Sequence, residues 1–228
     1  MEKTTPPPQI IGITGKAGHG KDTSADYLIK RLRELGYRPV CHQFSKPLKR
    51  AMAELTNTTL EEIEKLKSED ATLEEFNVNI RQLGQELGDF VRSYSRKWLV
   101  THARSEIDRL NSTSDAIKRT VHIFSDLRSP EEATGLRLQA AFDYADRHLE
   151  TVLSGALILR IHRPELDNAS ESFRSHNTET SVDEVYADLW VENTTPTELH
   201  RELDRQIVNK YPCITQPRVP YCFETHLG

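Results

Sequence analysis

The sequence predicts an α/β fold, a mostly parallel five-stranded sheet with helices on both faces. Two observations predict it. Short apolar or β-branched runs at residues 9–14, 38–44, 119–124, 152–161 and 188–192 alternate with longer segments of helical period. That alternation builds βαβ units, which set parallel strands side by side under covering helices. The first run also leads straight into a glycine-rich loop, Gly15-Lys-Ala-Gly18-His-Gly20-Lys21, and a helical pattern starts as the loop ends.

Each element has its own signal. Residues 9–14 read as a buried strand. Residues 21–35 carry Ala25, Leu28, Ile29, Leu32 and Leu35 on one helical face, and Gly36 ends the helix. Residues 38–44 form the second strand. Residues 46–55 and 60–67 read as short helices, the latter capped at Thr58 or Thr59 with Glu61 and Glu62 in its first turn. A helix over 76–94 turns Ile80, Leu83, Leu87 and Val91 inward. Gly84 and Gly88 each lower its helix propensity by ~1 kcal/mol, which predicts close packing or ligand approach there. Another helix covers 97–110. After the third strand at 119–124 come Ser125-Asp126-Leu127-Arg128, then Pro130, which opens a helix to about residue 145 with Ser129 as its cap. The fourth strand is 152–161. Residues 162–180 are polar and irregular and read as a loop or lid. A short helix at 181–187, a strand at 188–192 and a helix at 197–209, capped by Thr195 or Thr197, complete the pattern.

At 228 residues the chain suits one domain over 1–228, with residues 1–8 as a flexible leader and 211–228 as a C-terminal tail. The net charge is −5 and no basic block occurs, so neither nucleic acid nor an anionic membrane is an expected partner. Mean hydropathy is −0.61, and no apolar run approaches the ~20 residues of a membrane span. Three cysteines, Cys41, Cys213 and Cys222, lack metal-type spacing and read as reduced thiols of a cytoplasmic protein. The nine histidines show no zinc spacing either.

In parallel sheets the ligand sits at the carboxyl ends of the strands, so residues there carry most weight. Gly15, Gly18 and Gly20 let main-chain N–H groups approach phosphate oxygens, and the following helix points its positive end at the same anion. Lys21 adds a mobile charge. Asp22 stands where many such loops place a hydroxyl on magnesium, and Thr23 follows it; a carboxylate beside phosphates needs a cation between, directly or through water. Asp126 is placed to hold magnesium through water and Arg128 to bind a transferring phosphoryl group, against the plainer reading of a helix-capping Asp and a solvated Arg. Arg81 and Gln85 form an i,i+4 pair followed by Arg92 and Trp98; they fit a phosphate and a base edge, or else a surface row and a core tryptophan. Arg160, Arg163 and Arg174 suit a closing lid or a solvated insertion alike. Asn193 to Thr195 follow the last strand, as an adenine-side turn or a helix cap.

Taken in order, Gly-Lys-Ala-Gly-His-Gly-Lys-Asp-Thr, Arg81-Gln-Leu-x-Gln85-x-x-Gly88 with Arg92 and Trp98, Ser-Asp126-Leu-Arg128-x-Pro-x-Glu132-Ala, His176-x-x-Glu179-Thr and Asn193-Thr-Thr-Pro-x-Glu-Leu199 resemble the phage-type deoxynucleoside monophosphate kinases over roughly residues 9–205. The resemblance implies a P-loop kinase three-layer αβα sandwich. It implies transfer of the ATP γ-phosphate to a deoxynucleoside 5′-monophosphate with Mg2+, in the host cytoplasm for a phage protein. It implies that Gly15, Lys16, Gly18, Gly20, Lys21, Asp22 and Thr23 hold the ATP phosphates, with Asn193 and Thr195 near the adenine. Lys21, Asp126 and Arg128 would be catalytic, and Asp126 and Asp22 would meet the metal through water. Arg81, Gln85, Arg92 and Trp98 would lie on the acceptor side, and Arg163 and Arg174 in the lid. The sequence is compatible with a monomer or a homodimer. The rival readings are a P-loop kinase for another acceptor, such as a coenzyme A precursor or a sugar acid, and a nucleotide-dependent switch.

Overall fold

The computed structural model describes residues 8–111, 120–146, 155–166 and 181–210. Residues 1–7 of the expected leader, the lid residues from 167 on with Arg174, and the C-terminal tail lie outside the described residues, as do Cys213 and Cys222.

Five strands form one parallel sheet: β1 (Ile10–Thr14), β2 (Arg38–His42), β5 (Thr120–Leu127), β6 (Ala156–His162) and β7 (Leu189–Glu192), in the order β2-β5-β1-β6-β7. This is the strand order typical of P-loop kinases. β1 is central and all five of its residues are buried. It pairs in parallel with β5 (Ile11 opposite Ile123) and with β6 (Ile11 opposite Leu157).

The alternation of side chains along the strands makes two cores. On one face Ile11, Ile13, Ile123, Leu159 and Val191 pack against α1 (Lys21–Glu34) and α7 (Pro196–Gln206). On the other, Ile10, Phe124 and Ile158 pack against α5 (Trp98–Leu110) and α6 (Pro130–Asp146). A third, smaller core of Met52, Ala53, Ile63 and Ile80 binds α2 (Lys46–Leu55), α3 (Leu60–Ser68) and α4 (Ile80–Tyr94) together.

Several boundaries differ from the sequence expectation, each for a local reason. The third sheet strand continues to Leu127, because Leu127 is fully buried and pairs with Thr14 after a register shift in β1. Ser125 and Asp126 therefore belong to a strand end, not to a loop. The helix expected from residue 76 begins at Ile80. Ahead of it a two-stranded antiparallel hairpin, β3 (Thr72–Leu73) with β4 (Val78–Asn79), turns through Asn77 at φ 50°, and Asn79 Oδ1 caps α4 by accepting from Arg81 N at 2.8 Å. The fourth strand keeps its register with β1 through Ala156 to Arg160 and ends at His162, so residue 162 is strand and not loop. Pro164–Leu166 and Ser181–Glu184 are single 3₁₀ turns. Thr59 and Thr195 are the caps of α3 and α7, accepting from Glu62 N at 3.1 Å and Glu198 N at 3.2 Å. Gly84 and Gly88 face α2, where an added Cβ would lie 3.2 Å from Met52 Sδ and 3.4 Å from Leu48 Cδ1 respectively; close helix packing explains both glycines.

Candidate phosphate-binding and phosphoryl-transfer site

The glycine loop leaves the carboxyl end of the central strand and closes on α1. Gly15, Gly18 and Gly20 all have positive φ, at 149°, 78° and 97°. At Gly15 a side chain would also strike Ile161 O at 2.5 Å, and at Gly20 it would collide with Asn193 Nδ2. The loop's shape thus depends on glycine at both ends. Lys21 is buried and its ammonium folds back onto the loop, donating to Gly15 O at 2.6 Å and Lys16 O at 2.7 Å. Asp22 and Thr23 are exposed in the first turn of α1, while Ser24 turns inward and donates to Gly20 O at 2.9 Å.

Asn193 holds the loop from the β7 side. Its buried Nδ2 donates to His19 O at 2.9 Å, and its backbone N–H donates to His162 O at 2.8 Å. His19 is itself buried, with Nδ1 3.3 Å from Ile161 O and 3.4 Å from Arg163 N. Asn193 therefore clamps the loop to the ends of two strands. Thr195 is the exposed cap of α7. Beside the loop lies a cavity of about 170 Å³, lined in part by Lys16, His19, Arg160, His162, Asp183 and Trp190. Arg160 is buried in it, donating to Val182 O and Val185 O at 2.6 Å each and lying 4.8 Å over the Trp190 ring. Lys16 reaches Asp183 at 3.3 Å. Arg163 pairs with Glu165 at 3.3 Å.

Asp126 and Arg128 lie at the end of β5, next to the loop. Both Asp126 carboxylate oxygens are engaged: Oδ1 accepts from Phe44 N at 2.7 Å, and Oδ2 accepts from Ser45 N at 3.0 Å and Ser45 Oγ at 2.7 Å. Asp126 thus fixes the turn between β2 and α2. Arg128 is held by its backbone from both sides. Glu132 Oε2 accepts from Arg128 N at 2.7 Å and Ser129 N at 3.2 Å, Ser129 Oγ accepts from Glu132 N at 3.2 Å, and Ser181 Oγ donates to Arg128 O at 2.9 Å. This is a reciprocal helix cap. Burial, first, and the nearby Asp126 charge push the Glu132 carboxyl up to about 7, against the lowering pull of the two N–H donors.

The residues expected on the acceptor side spread along α4 and α5. Arg81 Nε donates to Asp70 Oδ1 at 3.1 Å and Nη2 to Lys67 O at 2.8 Å, so this guanidinium ties α4 to the end of α3. Gln85 is half-buried one turn on. Arg92 pairs with Asp89 at 2.6 Å. Trp98 packs into the core at the start of α5, edge-on to His102 at 5.0 Å. Sequence reasoning missed Gln43, Lys49, Glu64 and Lys67, which crowd the space between the end of β2 and α3. The available signal was position alone, since Gln43 and Lys49 bracket the carboxyl end of a parallel strand.

Magnesium usually needs one or two protein oxygens beside phosphate and water. The exposed Asp22 carboxylate and Thr23 hydroxyl, next to Lys21, are hard donors of that type. Among the described residues no group of three or more His, Cys, Asp or Glu is arranged to hold a metal, and no helix is long and apolar enough to cross a membrane.

No protein-family model matches the sequence, and no curated protein matches it. Among solved structures, the unliganded crystal structure of a sugar kinase from Janibacter sp. HTCC2649 aligns with 92% of this chain and 100% of its own, at a TM-score of 0.44 and 13% identity. The fold assignment rests on the sheet order and on the position of the glycine loop at the end of its central strand.

Proposed function

We propose that this chain is an ATP-dependent phosphotransferase whose acceptor is a deoxynucleoside 5′-monophosphate. One observation carries the reading: the glycine loop with its buried Lys21 ends the central strand, and Arg128, clamped at both its N–H and its C=O, ends the strand beside it. Phosphoryl transfer asks little of the protein except alignment and charge neutralisation. Loop N–H groups and Lys21 supply these on the donor side. Arg128 supplies a charge where donor and acceptor meet. A 5′-phosphate is already nucleophilic at neutral pH, so no general base is required. Bound magnesium would supply charge neutralisation for the donor phosphates, with the exposed Asp22 and Thr23 as the residues fitted to hold it, whereas the Asp126 carboxylate expected near the metal is engaged by Phe44 and Ser45. The choice of acceptor rests on the resemblance of the ordered motifs to those of the phage-type deoxynucleoside monophosphate kinases.

The test is an acceptor screen with purified protein, ATP and Mg2+. The four common deoxynucleoside monophosphates, their ribonucleotide counterparts, a coenzyme A precursor and sugar acids are offered in parallel, and products are separated by chromatography. A deoxynucleoside diphosphate is the expected product. A phosphorylated sugar acid or coenzyme A precursor instead would replace the acceptor and keep the phosphotransferase. Slow ATP hydrolysis with no acceptor turned over would mark a nucleotide-dependent switch.

A further inference from the structure

Beyond the carboxyl end of β2, two lysines share one carboxylate. Lys49, in the first turn of α2, is buried, and its ammonium donates to Gln43 Oε1 at 2.7 Å and to Glu64 Oε1. Lys67, half-buried on α3, lies 4.0 Å from the other oxygen of Glu64. Arg81 crosses behind, bonded to the Lys67 carbonyl and to Asp70. The Lys67 ammonium is held below the usual lysine range by burial first, then by Lys49, Arg81 and Arg128. In a chain of net charge −5, three cations, Lys49, Lys67 and Arg81, are paired here with two carboxylates, Glu64 and Asp70.

Stability alone does not account for this arrangement. Burying an ammonium is costly, and a carboxylate shared between two ammoniums leaves positive charge in excess. An apolar residue at position 49 would pack against α3 without that cost. The Glu64 side chain is 50% exposed, so it can swing to solvent without opening the core. Lys49 has a third N–H beyond the two it uses toward Gln43 and Glu64. A phosphate monoester brings up to two charges and three acceptor oxygens, more than one carboxylate offers.

We infer that Lys49 and Lys67 form a phosphate site that the Glu64 carboxylate occupies in the ligand-free protein, and that its ligand is the phosphate of the acceptor. The last clause rests on the phosphotransferase reading; the phosphate site itself does not. Position supports it. The carboxyl ends of β2 and β1 stand about 10 Å apart across β5, at ~4.8 Å per strand; Lys49 follows β2, the glycine loop follows β1, and Arg128 follows β5. That is room for two phosphates meeting at one arginine. Glu64 then acts as an internal competitor, which keeps the lysines apart from stray anions until an acceptor of higher charge arrives.

Calorimetric titration of the full chain tests this, using each deoxynucleoside monophosphate, the matching phosphate-free deoxynucleoside, and inorganic phosphate. Lys67→Gln should weaken monophosphate binding at least tenfold, and Lys67→Arg should restore most of it. Glu64→Gln should tighten binding about three- to tenfold, because it removes the competitor. Affinity for the phosphate-free deoxynucleoside should not change in any variant. Thermal unfolding confirms that each variant folds. A purely structural bridge predicts the opposite for Glu64→Gln, no gain or a loss, and either result overturns the inference. Equal monophosphate affinity in Lys67→Gln and wild type also overturns it. If no deoxynucleoside monophosphate binds but inorganic phosphate binding weakens in Lys67→Gln and tightens in Glu64→Gln, the site stands and the acceptor assignment falls. Phosphate held only by the glycine loop would ignore both substitutions, and that result overturns the site.

Discussion

The two flanks of the β5 strand end, each proposed above to hold a phosphate, are built in different ways. On the β1 side the contacts are main-chain and closed. Three glycines set the loop's shape, Lys21 rests on two loop carbonyls, and Asn193 locks the loop to β6 and β7. On the β2 side the contacts are between side chains, and charge is left over. A small core of Met52, Ala53, Ile63 and Ile80 supports α2, α3 and α4, and the lysines at its edge lean on one half-exposed glutamate. A main-chain cradle suits a ligand part that never varies, such as a triphosphate. A side-chain site on a separate small core can be retuned residue by residue, which suits the ligand part that differs between enzymes of this fold.

The largest effect that can break this contrast is at its shared boundary. Lys21→Ala and Arg128→Ala should each lower turnover by on the order of 10²–10³-fold, because the proposed reaction relies on each for charge neutralisation. Steady-state kinetics with the best acceptor from the screen is the measurement. Lys21→Ala should leave acceptor binding intact, whereas Arg128→Ala should weaken it. The same defect in both variants would erase the division into donor and acceptor flanks.

The next effect is on stability, and its acid arm belongs to the β2 side. His42 and His122 are buried neighbours, Nε2 to Nδ1 at 2.9 Å, between β2 and β5. Burial lowers them from 6.5 to about 4 and about 3. Both folded values lie below the unfolded one, so their contribution is present above pH 6.5 and is lost as pH falls toward 4, where only the unfolded chain takes up protons. The pair should therefore make unfolding progressively easier as pH falls below 6.5. Glu132 works in the other direction. Its folded value of about 7 lies above the unfolded 4.5, so its contribution is present below 4.5 and is lost as pH rises through 7. Denaturant unfolding against pH should flatten on the acid side in His42→Gln and on the neutral side in Glu132→Gln. Unaltered slopes in both would show that these groups titrate alike in the folded and unfolded chain.

A smaller effect sharpens the donor flank. Asn193→Ala removes the bond to His19 O and leaves a buried carbonyl without that donor, at a cost of about 1–3 kcal/mol. Its consequence for function should be a raised KM for ATP with an acceptor KM near wild type, since the clamp touches only the loop. An adenine-contacting role would instead change the preference for ATP over GTP, a comparison the same assay provides.

How much of this is legible in the sequence follows the same division. The loop is readable because its physics is local: seven consecutive residues after a β-branched run carry the whole geometry. The sheet is readable because buried parallel strands are apolar throughout. The hairpin Thr72–Leu73 with Val78–Asn79 is not, since two-residue strands carry no period and Asn77 takes a positive φ that residue type alone does not announce. The burial of Lys49 is equally hidden. It is decided by α3 and Glu64, fifteen positions on, and a lysine beside a strand end reads as solvated until the partner helix is in place. Asn193 reads as an adenine-side residue because the sequence shows where the strand ends but not that the side chain turns inward to the loop.

Arg81 offers the finest test, because there the resemblance and the geometry differ. The resemblance implies contact with the acceptor, yet the guanidinium reaches Asp70 and the Lys67 carbonyl, and its side chain is 46% exposed. An exposed ion pair of this kind contributes about 0–1 kcal/mol, so Arg81→Ala should shift Tm only slightly. Its effect on catalysis should depend on Lys67. If Arg81 serves by positioning α3, Arg81→Ala should raise the acceptor KM a few-fold, and the Lys67→Gln, Arg81→Ala double variant should be no worse than Lys67→Gln alone. If Arg81 touches the acceptor itself, the two losses should multiply. The double-mutant cycle on acceptor KM separates the two, and non-additivity is the expected result because both residues bear on one anion through one short stretch of backbone.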